Sequence, residues 1–149
     1  MEPMRIFCKG NTTLNMAVRG DKVILVRADS NDKSQHWFQD HDAVGKLTDD
    51  QGRRAFALVN RTTGQAMVNR NNVVRLAPYS GDVAVELSML WSLGVQLPGG
   101  FAEIRTLKDI SQTLNGINGY VKEGTVVGMY NSEPHSVNAI WKIYPIINE

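Results

Sequence analysis

Ser34-Gln35-His36-Trp37 carries the first of three tryptophans, and the other two end the stretches Ser88-Met89-Leu90-Trp91 and Asn138-Ala139-Ile140-Trp141. The three tryptophans are spaced 54 and 50 residues apart. A fixed period of about 50 residues is the sequence mark of a repeat architecture. Only the first stretch holds a Gln-x-Trp, because the other two keep the tryptophan and lose the glutamine.

Other features repeat in step with the tryptophans. Residues 6–13 (IFCKGNTT) can be laid over residues 56–63 (FALVNRTT) with a shift of 50, and residues 102–106 form a weaker third copy. Short apolar runs between turn signals recur throughout, among them residues 73–77 and 125–129. No segment keeps a 3.6-residue apolar period over about ten residues, as a helix would require. The sequence therefore predicts an all-β chain.

Three units of this kind predict a β-trefoil, in which each repeat gives four strands and the repeats pack around a pseudo-threefold axis. The predicted boundaries are about 4–54, 55–100 and 101–149, within one domain that covers residues 1–149. One unit cannot bury its own apolar face, so the three must fold together. We expect Trp37, Trp91 and Trp141 to be structural core residues, and Gln35 to hold the loop of its repeat by hydrogen bonds.

Composition excludes several classes of partner. The net charge is +1, which gives no electrostatic case for nucleic acid or an anionic membrane. Cys8 is the sole cysteine, so an intramolecular disulfide cannot form. No apolar run approaches about 18 residues, and the first residues lack the basic and apolar regions of a signal peptide. We therefore predict a cytoplasmic or nuclear protein that does not insert into a membrane.

The sequence lacks the usual marks of catalysis. Its three histidines have no Cys, Asp or Glu at metal-ligand spacing, which argues against a metal site. There is no nucleophile elbow, phosphate loop or dinucleotide fingerprint. The adjacent carboxylates Asp49 and Asp50 are typical of a solvated loop. We predict no catalytic residue, no metal and no cofactor, and hence a protein that is not an enzyme.

Several stretches together resemble the Euonymus-type plant lectins, within the wider ricin-B-like β-trefoil superfamily. They extend over residues 4 to about 145, and the most specific is FALVNRTTGQA at residues 56–66; others are Arg5 to Lys9, Leu90-Trp91, Leu114-Asn115 and Trp141 to Ile143. The resemblance implies β-trefoil domains of nucleocytoplasmic location that bind mannose-rich, galactosylated or more complex glycans. It also implies a link to abiotic stress.

The resemblance places the principal sugar pocket in the third repeat, where this sequence departs from the family pattern. The family has an Asp shortly after the Leu-Asn step, and that position here holds Ile117. The family's Asn-Gln before the last tryptophan becomes Asn138 followed by Ala139. A sugar face needs an aromatic ring and paired hydrogen-bonding groups for neighbouring hydroxyls, which Ile117 and Ala139 do not supply. Weak or altered glycan binding is therefore expected.

Two sets of residues could still form a sugar site. In the third repeat they are Asn118, Tyr130 and Asn138, because these positions border one shallow pocket of a trefoil repeat. The alternative set, in the second repeat, offers an aromatic, an amide and a carboxylate: Asn69, Tyr79 and Glu86. The second set can also be explained without a ligand, as a polar turn beside a tyrosine at the edge of the core, and the sequence favours this structural interpretation.

Two classes of function remain open at this stage. The first is a non-catalytic carbohydrate-binding domain, a stress-associated nucleocytoplasmic plant lectin whose partners are glycans on glycoproteins or oligosaccharides. The second is a β-trefoil protein-interaction module that has lost sugar binding. Trefoil protease inhibitors are disfavoured, since those resemble secreted chains with disulfides. A weak sugar site would need several copies, as in a homo-oligomer, for useful avidity.

Overall fold

A computed structural model describes residues 1–80, 85–119 and 121–146, and it leaves out the side chain of Asn118. The strands in these ranges are β1 (Met4–Cys8), β2 (Leu14–Arg19), β3 (Lys22–Arg27), β4 (Trp37–Asp40), β5 (Ala57–Asn60), β6 (Gln65–Arg70), β7 (Val73–Pro78), β8 (Trp91–Leu93), β9 (Ile104–Thr106), β10 (Gln112–Gly116), β11 (Val127–Asn131) and β12 (Trp141–Pro145). Short 3₁₀ helices cover Lys33–Gln35, Asp42–Val44, Leu87–Met89, Pro98–Gly100 and Ile117–Gly119.

Each tryptophan begins the last strand of its repeat, and that strand pairs with the first strand of the next repeat. Trp37 in β4 lies opposite Asn60 in β5, and Trp91 in β8 lies opposite Thr106 in β9. Trp141 in β12 lies opposite Cys8 in β1, which closes the ring from the third repeat to the first. Antiparallel hairpins β2–β3, β6–β7 and β10–β11 complete the three units. The predicted all-β fold of three repeats is confirmed.

The three indole rings are fixed in the same way. Each is at most 1% exposed, and all three pack into one apolar cluster with the inner faces of the strands. Each Nε1–H donates to a backbone carbonyl of the second strand in its own repeat, at Met16 (3.0 Å), Met67 (3.1 Å) and Leu114 (3.0 Å). A buried indole N–H needs such an acceptor. These three bonds define equivalent positions in the repeats.

The strand that carries Tyr130 differs from the predicted run of residues 125–129. β11 begins at Val127, because the carbonyl of Thr125 accepts a hydrogen bond from Leu25 of the first repeat instead of joining β10. The ladder with β10 continues as far as Asn131. Tyr130 therefore lies within the strand, directly opposite Thr113.

Two further features of the described ranges bear on function. None of their helices is long and apolar enough to cross a membrane. Within the same ranges, no group of three or more His, Cys, Asp or Glu side chains is placed to hold a metal ion.

Candidate functional site

An open pocket of about 560 Å³ lies on the third repeat, beside β10, β11 and the loop before Trp141. Two of the residues predicted for this repeat, Tyr130 and Asn138, both line it. The described residues around the pocket combine an aromatic ring, amides, a hydroxyl, a carboxylate and aliphatic groups: Asn115, Ile117, Gly119, Met129, Tyr130, Glu133, Ser136 and Asn138. The side chain of Asn118, the third predicted residue, lies outside the described residues.

Tyr130 provides the flat surface of the pocket. It is 55% exposed although it belongs to an antiparallel ladder, in which it lies one residue from the end. An exposed ring held by a strand is well placed to stack against the C–H face of a pyranose, as aromatic rings stack on apolar surfaces in general. The neighbouring Met129 is partly buried against the core and anchors the strand from the other side.

The amides of the pocket are positioned by one another. Asn138 Nδ2 donates to Asn115 Oδ1 at 3.1 Å, and the hydroxyl of Ser136 donates to Asn138 Oδ1. An amide NH₂ has two donors, so Asn138 keeps one N–H in addition to this bond. Asn115 Nδ2 has no hydrogen-bond partner within the described ranges. The pair therefore retains donors for the hydroxyls of a ligand.

The loop after β11 is held by a carboxylate that is distant in sequence. Glu103, which is 5% exposed, accepts hydrogen bonds from the Ser132 hydroxyl (2.8 Å and 2.9 Å) and from the backbone N–H of Glu133 (2.9 Å). The backbone of Ser136 then donates to the carbonyl of Glu133 at 2.9 Å. These bonds bring Glu133 to the pocket, and sequence reasoning missed this residue because its position depends on Glu103.

Ile117, at the position where the sequence resemblance implies an acid, forms an apolar wall of the pocket. Its Cδ1 lies 2.6 Å from the point where a Cβ on Gly128 would stand. Any larger residue at position 128 would have to displace the isoleucine side chain. Ile117 is 43% exposed, so the wall also faces solvent. The pocket thus has an apolar side at Ile117 and Tyr130, and a polar side at Asn138 and Glu133.

The second repeat fills the equivalent space. The indole N–H groups of Trp91 and Trp141 donate to the carbonyls of Met67 and Leu114, so Met67 and Leu114 occupy equivalent positions. The residues that follow them, Val68 and Asn115, are therefore equivalent as well. The strand registers then match Ala77 with Tyr130, and the positions two before each tryptophan match Met89 with Ala139. Val68, Ala77 and Met89 form a closed apolar cluster, against which Tyr79 packs. Ala77, which corresponds to Tyr130, offers no exposed ring.

The residues predicted for the second repeat are not brought together. Asn69 lines a groove of about 650 Å³, and its Oδ1 is buried without a hydrogen-bond partner. Glu86 pairs with Arg70 at 3.4 Å beside this groove. Tyr79 lies apart from the groove, since its hydroxyl donates to Asp40 Oδ2 at 2.8 Å. Burial and the Asp40 carboxylate raise the pKa of Tyr79, so its hydroxyl stays protonated and keeps donating.

The first repeat fills the equivalent space with a hydrogen-bonded glutamine. Gln35 Oε1 accepts from Asn15 Nδ2 (2.8 Å) and from the backbone of Asp29 (3.0 Å). Its Nε2 donates to the carbonyl of Arg27 (3.0 Å) and to Asp32 (3.1 Å). Burial would raise the pKa of Asp32, but hydrogen bonds from Ser34, Gln35 and Arg19 outweigh it and lower that pKa to about 2. All four bonding positions of Gln35 are used, so none is left for a ligand.

Comparison with known proteins supports this architecture. No family model matches the chain. Three plant relatives match the chain over alignments of 150 residues: the ricin B-like lectins EULS3 of Arabidopsis thaliana (31% identity) and R40C1 and R40G3 of Oryza sativa subsp. japonica (33% and 32%). Each alignment covers 95% of this chain, and they cover 47%, 42% and 72% of the respective relatives. The chain thus spans about half the length of the first two.

Solved structures agree on the fold. The designed threefold-symmetric protein ThreeFoil superposes with a TM-score of 0.70 at 17% identity, covering 95% of this chain and 97% of ThreeFoil. The C-terminal half of an earthworm R-type lectin, solved in complex with GalNAc, superposes with a TM-score of 0.68 at 14% identity, covering 97% and 99%. At these identities the likeness concerns the fold alone.

The three-repeat architecture places the chain in the class of β-trefoil proteins. Within that class, the similarity to the plant relatives shows that the chain belongs to the ricin B-like lectins, of the Euonymus type. The resemblance seen in the sequence is confirmed.

Proposed function

We propose that the chain is a non-catalytic carbohydrate-binding domain whose sugar site is the third-repeat pocket. The observation that carries the proposal is the exposed ring of Tyr130, which faces the same open pocket as the paired amides of Asn115 and Asn138. A ring and neighbouring hydrogen-bonding groups are what a pyranose needs. Asn118, on the short 3₁₀ helix beside the pocket, stays a predicted fourth contact.

The pocket suits binding better than hydrolysis. Glycoside hydrolysis normally uses two carboxyl groups on either side of the scissile bond. Glu133 is the one carboxylate among the described lining residues. We therefore assign this pocket a binding role.

The expected affinity is low. The pocket is open, and neutral amides supply most of its polar contacts, so a dissociation constant on the order of millimolar, about −4 kcal/mol, is expected for a simple sugar. Useful binding then requires several sites, for instance in a homo-oligomer that engages a multivalent glycoprotein. We further propose, from the family resemblance, that this activity belongs to the cytoplasm or nucleus of a plant cell and to its response to stress.

A second candidate is a protein-interaction module without sugar binding. The observation that favours it is the apolar wall, in which Ile117 and Tyr130 are 43% and 55% exposed. An aromatic and an isoleucine side by side could also receive an apolar side chain of a protein partner.

A glycan array printed at high density separates the two candidates. We expect wild-type protein to bind a subset of neutral glycans, and the Tyr130→Ala variant to lose that signal. The Tyr144→Ala variant serves as a matched control, because Tyr144 is 41% exposed and lines a different pocket. A blank array with folded wild-type protein would reject the sugar site in favour of the protein-interaction module.

A further inference from the structure

We propose that Glu133 makes the third-repeat pocket selective by charge, so that it binds amino and neutral sugars more tightly than acidic ones. Acidic sugars here means uronic acids, sialic acids and sulfated sugars. The proposal rests on the proposed function, since it concerns the ligand class of the same pocket.

The backbone of Glu133 is fixed while its side chain is left free. Its N–H is held by Glu103 at 2.9 Å, and its carbonyl is held by the N–H of Ser136 at 2.9 Å. The side chain is exposed and lines the pocket. None of the ion pairs in the described ranges involves it. A carboxylate on a fixed loop therefore faces the ligand without a competing cation.

The surroundings of the pocket do not neutralise this charge. The described residues that line it include no Lys, Arg or His. The groove of the second repeat is different, because Arg70 and Lys108 both line it. A negative ligand in the third-repeat pocket would meet an uncompensated like charge.

Coulomb's law gives the scale of the selection. Two unit charges about 5 Å apart in a water-like medium change a binding constant about fourfold, and the effect grows where the pocket excludes water. A carboxylate ligand is weakened by that factor and an ammonium ligand is strengthened by it. A protonated amino sugar also gains from the face of Tyr130, because aromatic rings attract cations.

Glu133 also supplies hydrogen bonding that Ile117 does not. A carboxylate accepts from two neighbouring hydroxyls at once, and such charge-assisted bonds are about twice as strong as neutral ones. With the free N–H groups of Asn138 and Asn115, the pocket offers both acceptors and donors to a pair of vicinal hydroxyls. A neutral sugar therefore also benefits from Glu133.

The test is a titration of the whole chain with matched sugars, followed by calorimetry and by NMR amide shifts. The probes are galactose, galacturonic acid and galactosamine, and the corresponding manno series, at about pH 6, where the amine is protonated. We expect affinity to fall from the amino sugar to the neutral sugar to the uronic acid, by about fourfold or more at each step. At about 1 M salt, where the Debye length is about 3 Å, the differences should shrink.

Two isosteric variants decide whether Glu133 is responsible. Glu133→Gln should bring the neutral sugar and the uronic acid of each series to within about twofold of each other, and it should reduce the preference for the amino sugar about fourfold. Glu123→Gln removes an equal charge from an exposed site of the same repeat outside this pocket, and it should leave the order unchanged. Equal binding of acidic and neutral sugars to wild-type protein would overturn the charge selection and leave the sugar site standing, as would an unchanged order in Glu133→Gln. Binding of no sugar at all would overturn both.

Discussion

The second and third repeats hold different side chains at corresponding backbone positions. In the second repeat, Val68, Ala77 and Met89 pack against one another and close the space between the hairpin and the loop before Trp91. In the third repeat, the corresponding residues are Asn115, Tyr130 and Ala139, and a pocket of about 560 Å³ lies there. The strand pairings around the two places are the same.

The difference shows what makes a site on this scaffold. A long side chain two residues before the tryptophan, Gln35 or Met89, fills its repeat, and Ala139 is too short to do so. In the sequence, Ala139 indicates only a lost hydrogen-bonding group. In the structure, Ala139 is fully buried and is not among the described residues that line the pocket, whereas Asn115 and Tyr130 line it with an amide and an aromatic ring.

The comparison first requires that the repeats share one core. Trp91→Ala and Trp141→Ala should each lower the free energy of unfolding by about 3–5 kcal/mol, because each removes a fully buried indole and orphans a carbonyl. Urea denaturation measures the loss. Costs under about 1 kcal/mol for Trp37, Trp91 and Trp141 alike would contradict a shared core.

The stability of the fold should depend on Met89, which fills the second repeat. Met89→Ala should destabilise the fold by about 2 kcal/mol, near the low end for buried methionines, since it leaves a cavity against Val68 and Ala77. Leu87→Ala is the control, because Leu87 is 52% exposed and its loss should change stability by no more than about 0.5 kcal/mol. Equal effects in urea denaturation would show that the apolar cluster contributes nothing.

In the third repeat, the ring of Tyr130 should contribute to sugar binding and not to the stability of the fold. Tyr130→Ala should weaken binding of a neutral sugar at least about tenfold, or ~1.4 kcal/mol, while its urea midpoint stays that of wild-type protein. Calorimetric titration at millimolar sugar measures the first quantity. Unchanged affinity in a folded variant would remove the ring from the site.

The first repeat, unlike the second, should make the stability of the fold depend on acid. Burial lowers the pKa of His36 below its ordinary 6.5, and the charge of Arg61, whose guanidinium donates to Nδ1 at 3.1 Å, lowers it further. The unfolded chain then binds this proton more tightly than the folded chain. Stability should be complete above about pH 6.5 and fall as the pH drops towards the folded pKa.

Urea denaturation at about pH 7 and about pH 5 measures this acid step. His36→Gln should reduce the loss of stability, whereas replacing the exposed His135 should not. Some loss should persist in the His36 variant, because burial also lowers the pKa of His41. A loss that is the same in wild-type protein and His36→Gln would remove His36 from the explanation.

Much of the fold could be predicted from the sequence because it is periodic. The tryptophans and the strand openings recur about every 50 residues, and each recurrence corresponds to one repeat. Tyr130 and Asn138 could be chosen because they flank a strand and a tryptophan. Glu133 could not, since Glu103, 30 residues earlier, fixes its loop. Tyr79 shows the opposite case. The sequence groups it with Asn69 because both belong to the second repeat, but its hydroxyl donates to Asp40 and Tyr79 lies apart from the groove that Asn69 lines.

The central claim is that the third repeat binds sugar because its pocket is open, whereas Val68, Ala77 and Met89 fill the corresponding place in the second repeat. A titration of ¹⁵N-labelled protein with methyl galactoside and methyl mannoside, followed by amide shifts, tests it most directly. The account predicts shifts that cluster at Asn115, Tyr130, Glu133, Ser136 and Asn138, and that weaken when Tyr130→Ala removes the ring from the pocket in a variant shown to be folded. Shifts that cluster instead at residues 69–79, or no shifts at saturating sugar, would contradict it.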